Sequence, residues 1–231
     1  MKGIVEQRLG VPVCLDNDVN LAALAEHRFG AGKGVRDMIY VTTGSGIGAG
    51  IIIDNRLYRG THGTAGEIGH TTLDIDGPVC TCGNRGCLMA MASGIGITNI
   101  AKREVKKGKA TLIGKMVGND IDKLTARVIK EAASRGDEFS RQLIERAVTS
   151  FGVGLANLIE IFDPEMIVIG GGLSQIKEDF LDCVRKIAAR RIPKQLGNAV
   201  KIVRSSLGGD AGIIGAALLI AEEQPGVTNP G

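Results

Sequence analysis

From 138 to 162 the apolar residues Phe139, Leu143, Ala147, Phe151, Leu155, Leu158 and Phe162 recur at spacings of three and four, the period of a helix buried along one face. Asp163-Pro164 ends that pattern, because the residue before a proline is pushed out of the helical region. The period then disappears. Met166-Ile167-Val168-Ile169 is uninterrupted apolar sequence, as in a strand covered on both faces, and Gly170-Gly171-Gly172 opens the turn behind it. Nearer the N-terminus, residues 38–43 and 49–53 are runs of strand-forming residues, with Asp54-Asn55 as turn residues before Arg56-Leu57-Tyr58: a glycine-rich hairpin. Residues 1–36 read as a short helix, a short apolar strand at 11–15 and a second helix over 19–29 that Gly30 terminates. A further helix is expected over 121–133, a last strand over 200–203 and a last helix over 211–222, followed by a polar tail, 224–231, expected to be disordered. Residues 60–96 read as loop. Helix, buried strand and glycine turn in succession are the parts of an α/β nucleotide site.

Composition narrows the class without changing the picture. Apolar residues are 44% and charged residues 23% of the 231, a globular balance, while 34 glycines are about twice the usual share. The formal charge of +3 is too small to imply nucleic acid, and the Lys102 to Lys109 run is expected to be solvated surface. No apolar stretch is long enough for a membrane span and the first ten residues carry no signal-like core, so a cytoplasmic location is the expectation. Five cysteines, three of them at Cys80, Cys82 and Cys87, point to metal ligation in a reduced compartment rather than a disulfide framework.

Those cysteines follow His70. Three thiolates and an imidazole satisfy tetrahedral zinc and leave no open position, so a structural Zn²⁺ held by His70, Cys80, Cys82 and Cys87 is one reading; three buried free cysteines beside an ordinary histidine is the other. Thr42 to Gly50 lies between two strands, where Gly44, Gly46 and Gly48 let backbone N–H groups approach phosphate oxygens and Ser45 offers a hydroxyl. It matches neither a Walker A loop nor a Rossmann fingerprint, and a purely structural hairpin is the alternative. Asn17-Asp18 stands between an apolar stretch and a helix, so Asp18 is either a general base or a helix cap. Glu67 either points into a cleft or lies on a surface loop.

Taken together these stretches resemble the ROK family (repressors, open reading frames, kinases). Leu15-Asp16-Asn17-Asp18 is similar to the family's catalytic-aspartate segment, Thr43 to Gly50 to its second phosphate loop, and Ala65-Gly66-Glu67-Ile68-Gly69-His70 to its sugar-binding motif. Gly77 to Cys87 resembles its zinc signature, and Pro164 to Gly172 its adenosine-side strand and turn. The resemblance implies an α/β, actin-like ATPase (ribonuclease H-like) fold, mainly its C-terminal lobe, with a zinc-bound loop. It divides the chain into a remnant of the N-terminal lobe (1–30), the C-terminal lobe with its zinc loop at 70–87 (31–210), and a helix returning to the N-terminal lobe (211–223). The activity implied is transfer of the ATP γ-phosphoryl group, with Mg²⁺, to a hydroxyl of a hexose or N-acylhexosamine. Asp18 would take the hydroxyl proton. Asn17, Glu67 and His70 would hold the sugar, Gly44, Ser45, Gly46 and Gly48 with Gly170, Gly171 and Gly172 would hold the nucleotide, and His70 would also ligate zinc.

Two positions depart from the family. No D-x-G-G-T phosphate loop is present, so Met1 is expected to start near the end of the N-terminal lobe; and Met89 stands where the family has a sugar-contacting glutamate. The expected functions are therefore a glucokinase-like kinase, the sugar-sensing body of a ROK repressor, or a non-catalytic remnant, with no nucleic-acid contact from this chain itself. Ile213, Ile214, Leu218, Leu219 and Ile220 are expected to need cover, most simply from a second copy in a homodimer.

Overall fold

The computed structural model describes residues 2–223 apart from 119, 195, 197 and 198; the expected disordered tail, 224–231, lies outside the described residues. Five strands form one mixed sheet in the order β3-β2-β1-β4-β5. They are β1 (Met38–Thr43), β2 (Ile47–Ile53), β3 (Arg56–Tyr58), β4 (Met166–Gly170) and β5 (Lys201–Arg204). The first three make the expected antiparallel meander, and β4 pairs in parallel with β1 on one side and with β5 on the other. Every residue of β4 is buried, as a central parallel strand with both faces covered must be.

Alternation along these strands sorts the core into two layers. Ile39, Val41, Ile167 and Ile169 face a large cluster with Leu143, Phe151 and Leu155, which belong to the long helix α7 (Glu138–Phe162). Met38, Tyr40, Ile52 and Val168 face the opposite way, onto α2 (Asp18–Phe29) and α9 (Ala211–Glu223). The fold is thus a three-layer α/β/α unit. Helix α7 starts at Asp137, whose carboxylate accepts from the Ser140 backbone N–H (3.0 Å), and ends at Asp163, which adopts the left-handed conformation just before Pro164.

Several expectations need correction. No strand forms at 11–15: those residues have no partner in the sheet and follow α1 (Lys2–Leu9), which buries nothing. The helix expected over 121–133 is two elements, a 3-10 turn at Ile121–Lys123 and α6 (Ala126–Ser134), because Thr125 caps a new start by accepting from Val128 N–H (3.4 Å). The segment read as loop up to residue 96 contains α3 (Leu88–Ala92) and the beginning of α4 (Gly94–Lys106), which Ser93 caps by accepting from Gly96 N–H. The basic run belongs to the end of α4 and the turn after it; it is largely exposed from Lys106 on, while Lys102 is half-buried and turned toward a cavity. Two more helices, α5 (Leu112–Met116) and α8 (Phe180–Ala189), complete the described set.

One face of helix α9 is covered inside the chain. Ile214, Leu218 and Leu219 join the α2 cluster, while Ile213 and Ile220 stay exposed at 76% and 50%. The two helices touch closely at Gly215, where a Cβ would run into the carbonyl oxygen of Leu21. Gly215→Ala is therefore expected to lower the free energy of unfolding by about 1–3 kcal/mol, the usual cost of overpacking, while Ala217→Ser on the exposed face changes it by less than about 0.5 kcal/mol; urea unfolding of both variants checks this.

Candidate functional site

Helix α2 begins beside the ends of β1 and β2, and its first residues carry the polar groups of a cleft. Asn17 is the cap: its Oδ1 accepts from the Val19 N–H at 2.9 Å. Asp18 is the first helical residue, so capping does not occupy its carboxylate, which is exposed and accepts no hydrogen bond among the described residues. Behind it, Asp16 is bound on three sides, by Arg59 Nε (2.7 Å), Asn20 Nδ2 (2.6 Å) and the Asn17 N–H (2.7 Å), with its side chain 8% exposed. Burial pushes its pKa up, but the bonds from Asn20, Arg59 and Asn17 together pull it below the ordinary aspartate value. Asp16 thus stays anionic and holds the strand-like approach to Asn17-Asp18 in place.

Two cavities meet at Asp18. One, of about 300 Å³, is walled by Asn17, Glu67, Met89 and the loop from Gly44 to Gly48. The other, of about 590 Å³, is walled by Tyr40, by Gly170, Gly171 and Gly172, and by residues of the 204–212 segment. Asp18, Val19 and Thr42 line both. A third cavity, of about 700 Å³, brings Gly44 and Ser45 together with Gly172 and with Thr98, Asn99 and Lys102 of α4. The two glycine turns are neighbours because β1 and β4 run in parallel and end together. Gly171, at φ +89°, has no Cβ to strike the Thr43 carbonyl oxygen. The Gly44 N–H is already taken up inside its turn by the Gly46 carbonyl (2.9 Å), and the loop is braced by Gly94 and Ile95, whose N–H groups donate to the Gly44 and Ser45 carbonyls.

His70 does not line the sugar-sized cavity. It stands behind Glu67, with Nε2 4.0 Å from a Glu67 carboxylate oxygen, and turns Nδ1 to the sulfur of Cys80 at 3.7 Å. The sulfurs of Cys82 and Cys87 are 3.8 Å apart, and the four donor atoms lie within 4.8 Å of one another. Burial raises the Cys80 thiol, yet hydrogen bonds from Cys82 and His70 bring it down, while burial and the neighbouring sulfurs push Cys87 up. Packed this closely, the three thiols cannot all ionise without a cation among them.

Sequence reasoning passed over one group that helps to build the cavity of about 590 Å³. Glu26, wholly buried on α2, accepts from Ser205 Oγ (2.6 Å), from the Leu207 and Ala31 N–H groups (2.9 and 2.8 Å) and from Ser206 N–H (3.3 Å). Burial raises its pKa, but these donors more than offset that and hold it below the ordinary glutamate value. A single carboxylate thereby ties α2 to the 205–207 loop. The signal available in the sequence was a glutamate placed on the apolar face of α2, directly after Leu24 and Ala25.

The ROK family model matches residues 1–223. The chain is 38% identical over 223 residues to the xylose repressor of Caldicellulosiruptor bescii, covering 96% of this chain and 55% of the repressor. It is 37% identical over 216 residues to the glucokinase of Thermotoga maritima, covering 94% of this chain and 68% of that enzyme. Among solved structures, a ROK hexokinase from Thermus thermophilus matches with a TM-score of 0.81 at 34% identity, over 96% of this chain and 72% of that one. A ROK family glucokinase from Streptomyces griseus, in complex with glucose and AMPPNP, matches with a TM-score of 0.78 at 39% identity, over 94% and 71%. The chain belongs to the ROK family, and it spans about half the length of the repressor it matches.

The lowered pKa values fix the sign of one pH effect. Asp16 and Glu26 have folded pKa values below their ordinary 3.8 and 4.5, so the stability they supply is fully present above those values and is lost as pH falls through the folded ones. The urea midpoint is expected to be level between about pH 7 and 5 and to fall below about pH 4, with a shallower fall in Glu26→Gln.

Proposed function

We propose that this chain forms the sugar side and part of the nucleotide side of an ATP-dependent hexose kinase, with Asp18 as its general base. The observation that carries this reading is a carboxylate shared by two cavities. Asn17, Glu67 and the Gly44–Gly48 loop surround one face of Asp18, a suitable bed for a polyhydroxylated ring, and the Gly170–Gly172 turn surrounds the other. Similarity to the glucokinases supports the same assignment.

In this reaction Asp18 accepts the proton of the attacking sugar hydroxyl as its oxygen bonds to the γ-phosphorus; the bond to the β-phosphate oxygen breaks and ADP leaves. Asn17 and Glu67 orient the ring, and Gly46, Gly48 and Ser45 with Gly170, Gly171 and Gly172 hold the phosphates between the two turns. Mg²⁺, when bound with ATP, neutralises charge on the transferring phosphoryl group. The chemistry is positioning, which suits a site built where rigid strands end.

His70, Cys80, Cys82 and Cys87 fit a structural Zn²⁺: the donor set is closed and its atoms converge within 4.8 Å. With Nδ1 toward the sulfurs, His70 leaves Nε2 to Glu67. A metal there would fix the orientation of the carboxylate that faces the sugar.

A second reading is favoured by one specific residue. Met89 presents a thioether to the sugar cavity at the position where the resemblance implies a glutamate, and a weaker hydroxyl acceptor suits a sugar-responsive body. Similarity to the xylose repressor agrees. A coupled assay for ADP release over a hexose panel separates the two: turnover supports the kinase, and saturable sugar binding without turnover supports the sensor.

If turnover is seen, Asp18→Asn is expected to lower kcat by ~10²–10⁴-fold with little change in sugar affinity; an unchanged kcat would leave Asp18 a bystander of the cleft. For the metal, protein purified without added zinc is expected to contain about one Zn²⁺ per chain, and Cys82→Ser to lose both the metal and much of the thermal stability, because metal binding here is folding free energy.

A further inference from the structure

On one side of the sugar cavity a single side chain separates it from a second hollow. Met89, on α3, is the one residue that lines both the 300 Å³ cavity at Asp18 and a neighbouring hollow of about 280 Å³ between the cysteine loop and α4. The two sides differ in chemistry. Toward Asp18 the wall carries Asn17, Asp18, Ser45 and Glu67; beyond Met89 it is made largely of Pro78, Val79, Ala90, Ile95 and Ile100. Val79 and Ile95 are 59% and 45% exposed, so the apolar lining of this hollow is open to solvent.

The Met89 methyl group reaches into the sugar side. A Cβ built at Gly69 would lie 3.0 Å from it and one at Gly46 3.7 Å, so the thioether lies directly against the loop that floors the cavity. Methionine is unbranched, with three rotatable side-chain bonds, and its position is set by packing rather than by hydrogen bonds. It is half-buried and rests on Cys80, Cys87 and Ala90. A partition of this kind yields to pressure from a ligand. It also cannot satisfy a hydroxyl: a sugar hydroxyl pressed against it would lose its water and gain only a weak acceptor.

We propose that Met89 is the specificity-determining residue of the sugar cavity, and that the hollow beyond it receives an apolar substituent, an N-acyl or alkyl group, carried by the sugar at the edge facing Met89. The inference rests on the sugar-binding reading of the cavity and is independent of phosphoryl transfer. Polar groups hold one edge of the ring. The other edge displaces the thioether and buries its hydrocarbon against Ile95 and Ile100. Among the polar members of the hollow, which also include Thr81 and Ser93, Asn99 and Arg103 of α4 offer N–H donors for an acyl oxygen.

The test is calorimetric, on the intact protein. Glucose is compared with its methyl and butyl glycosides at C1 and with N-acetyl and N-butanoyl hexosamines of gluco and manno configuration. One series is expected to bind at least about tenfold more tightly than glucose and to gain further with chain length, as burial of each added methylene predicts. Met89→Glu is expected to reverse that preference toward glucose. Ile95→Glu, at an exposed rim position, should abolish the gain relative to glucose. Equal affinities across the panel, or a ratio indifferent to Met89→Glu in a variant that still melts cooperatively, overturns the proposal. The Asp18→Asn variant keeps the failures apart. Sugar preference without turnover in the parent protein would refute the kinase and leave this inference standing, whereas turnover on glucose with no preference would do the reverse; no binding of any sugar would overturn both.

Discussion

Strand β1 runs parallel to β4 from the Met38–Met166 pair to the Thr42–Gly170 pair, and the arrangement of the site depends on that register. Because the two strands point the same way, their C-terminal ends deliver two glycine turns to one edge of the sheet. Because β1 also pairs with β2, the first turn must be short and return at once, which leaves Gly44, Ser45 and Gly46 projecting beyond the sheet. A one-residue slip would turn Ile167 and Ile169 out of the α7 layer and into the α2 layer, so the register decides which side chains pack in each layer. Ligand clefts form outside the carboxyl ends of such strands for this reason.

Helix α2 then supplies the charge. Three carboxylates belong to it or to its approach, and their surroundings give them different tasks. Asp16 is enclosed by Arg59, Asn20 and the Asn17 N–H; Glu26 is enclosed by the 205–207 loop; Asp18, between them, is left open to both cavities. The enclosed pair cannot reach a ligand, and being hydrogen-bonded on several sides they are poor proton acceptors. What they do is hold both ends of the helix that presents the open one. Removing either would leave several part-buried donors short of a partner, at a cost below the about 1–3 kcal/mol usual for a fully buried group, and would loosen the cleft.

What could be read from the sequence divides along physical lines. The long helix α7 and strand β4 were legible because one apolar period, or one unbroken apolar run, persists and stops at Asp163-Pro164 or Gly170. Helix α4 was not, since Gly94-Ile95-Gly96-Ile97-Thr98 pairs glycine with β-branched residues, both weak helix formers; burial of Ile97 and Ala101 against the core overrides that preference. Residues 11–15 failed in the opposite sense: five apolar-rich residues can suit a strand, but they pair with no strand of the sheet. Cys80, Cys82, Cys87 and His70 were found by residue type and order, as donors close in sequence can be. Arg59 at Asp16 and Ser205 at Glu26, 43 and 179 residues away, left no local trace.

The same geometry explains how one body serves both kinases and repressors among the relatives. In the proposed reading sugar recognition would draw on Asn17, Glu67 and the loop beside the cysteine cluster, which converge on one cavity or stand next to it. Phosphoryl transfer needs more: an open carboxylate and a second cavity on its far side, and here Asp18 has both. A sensor can therefore keep the first set and let the second drift, whereas a kinase cannot. Under the proposed reading Asp18 is open to both cavities while Met89 lines only the sugar side, so a change at Met89 bears on which ligand is held and leaves the surroundings of the carboxylate alone.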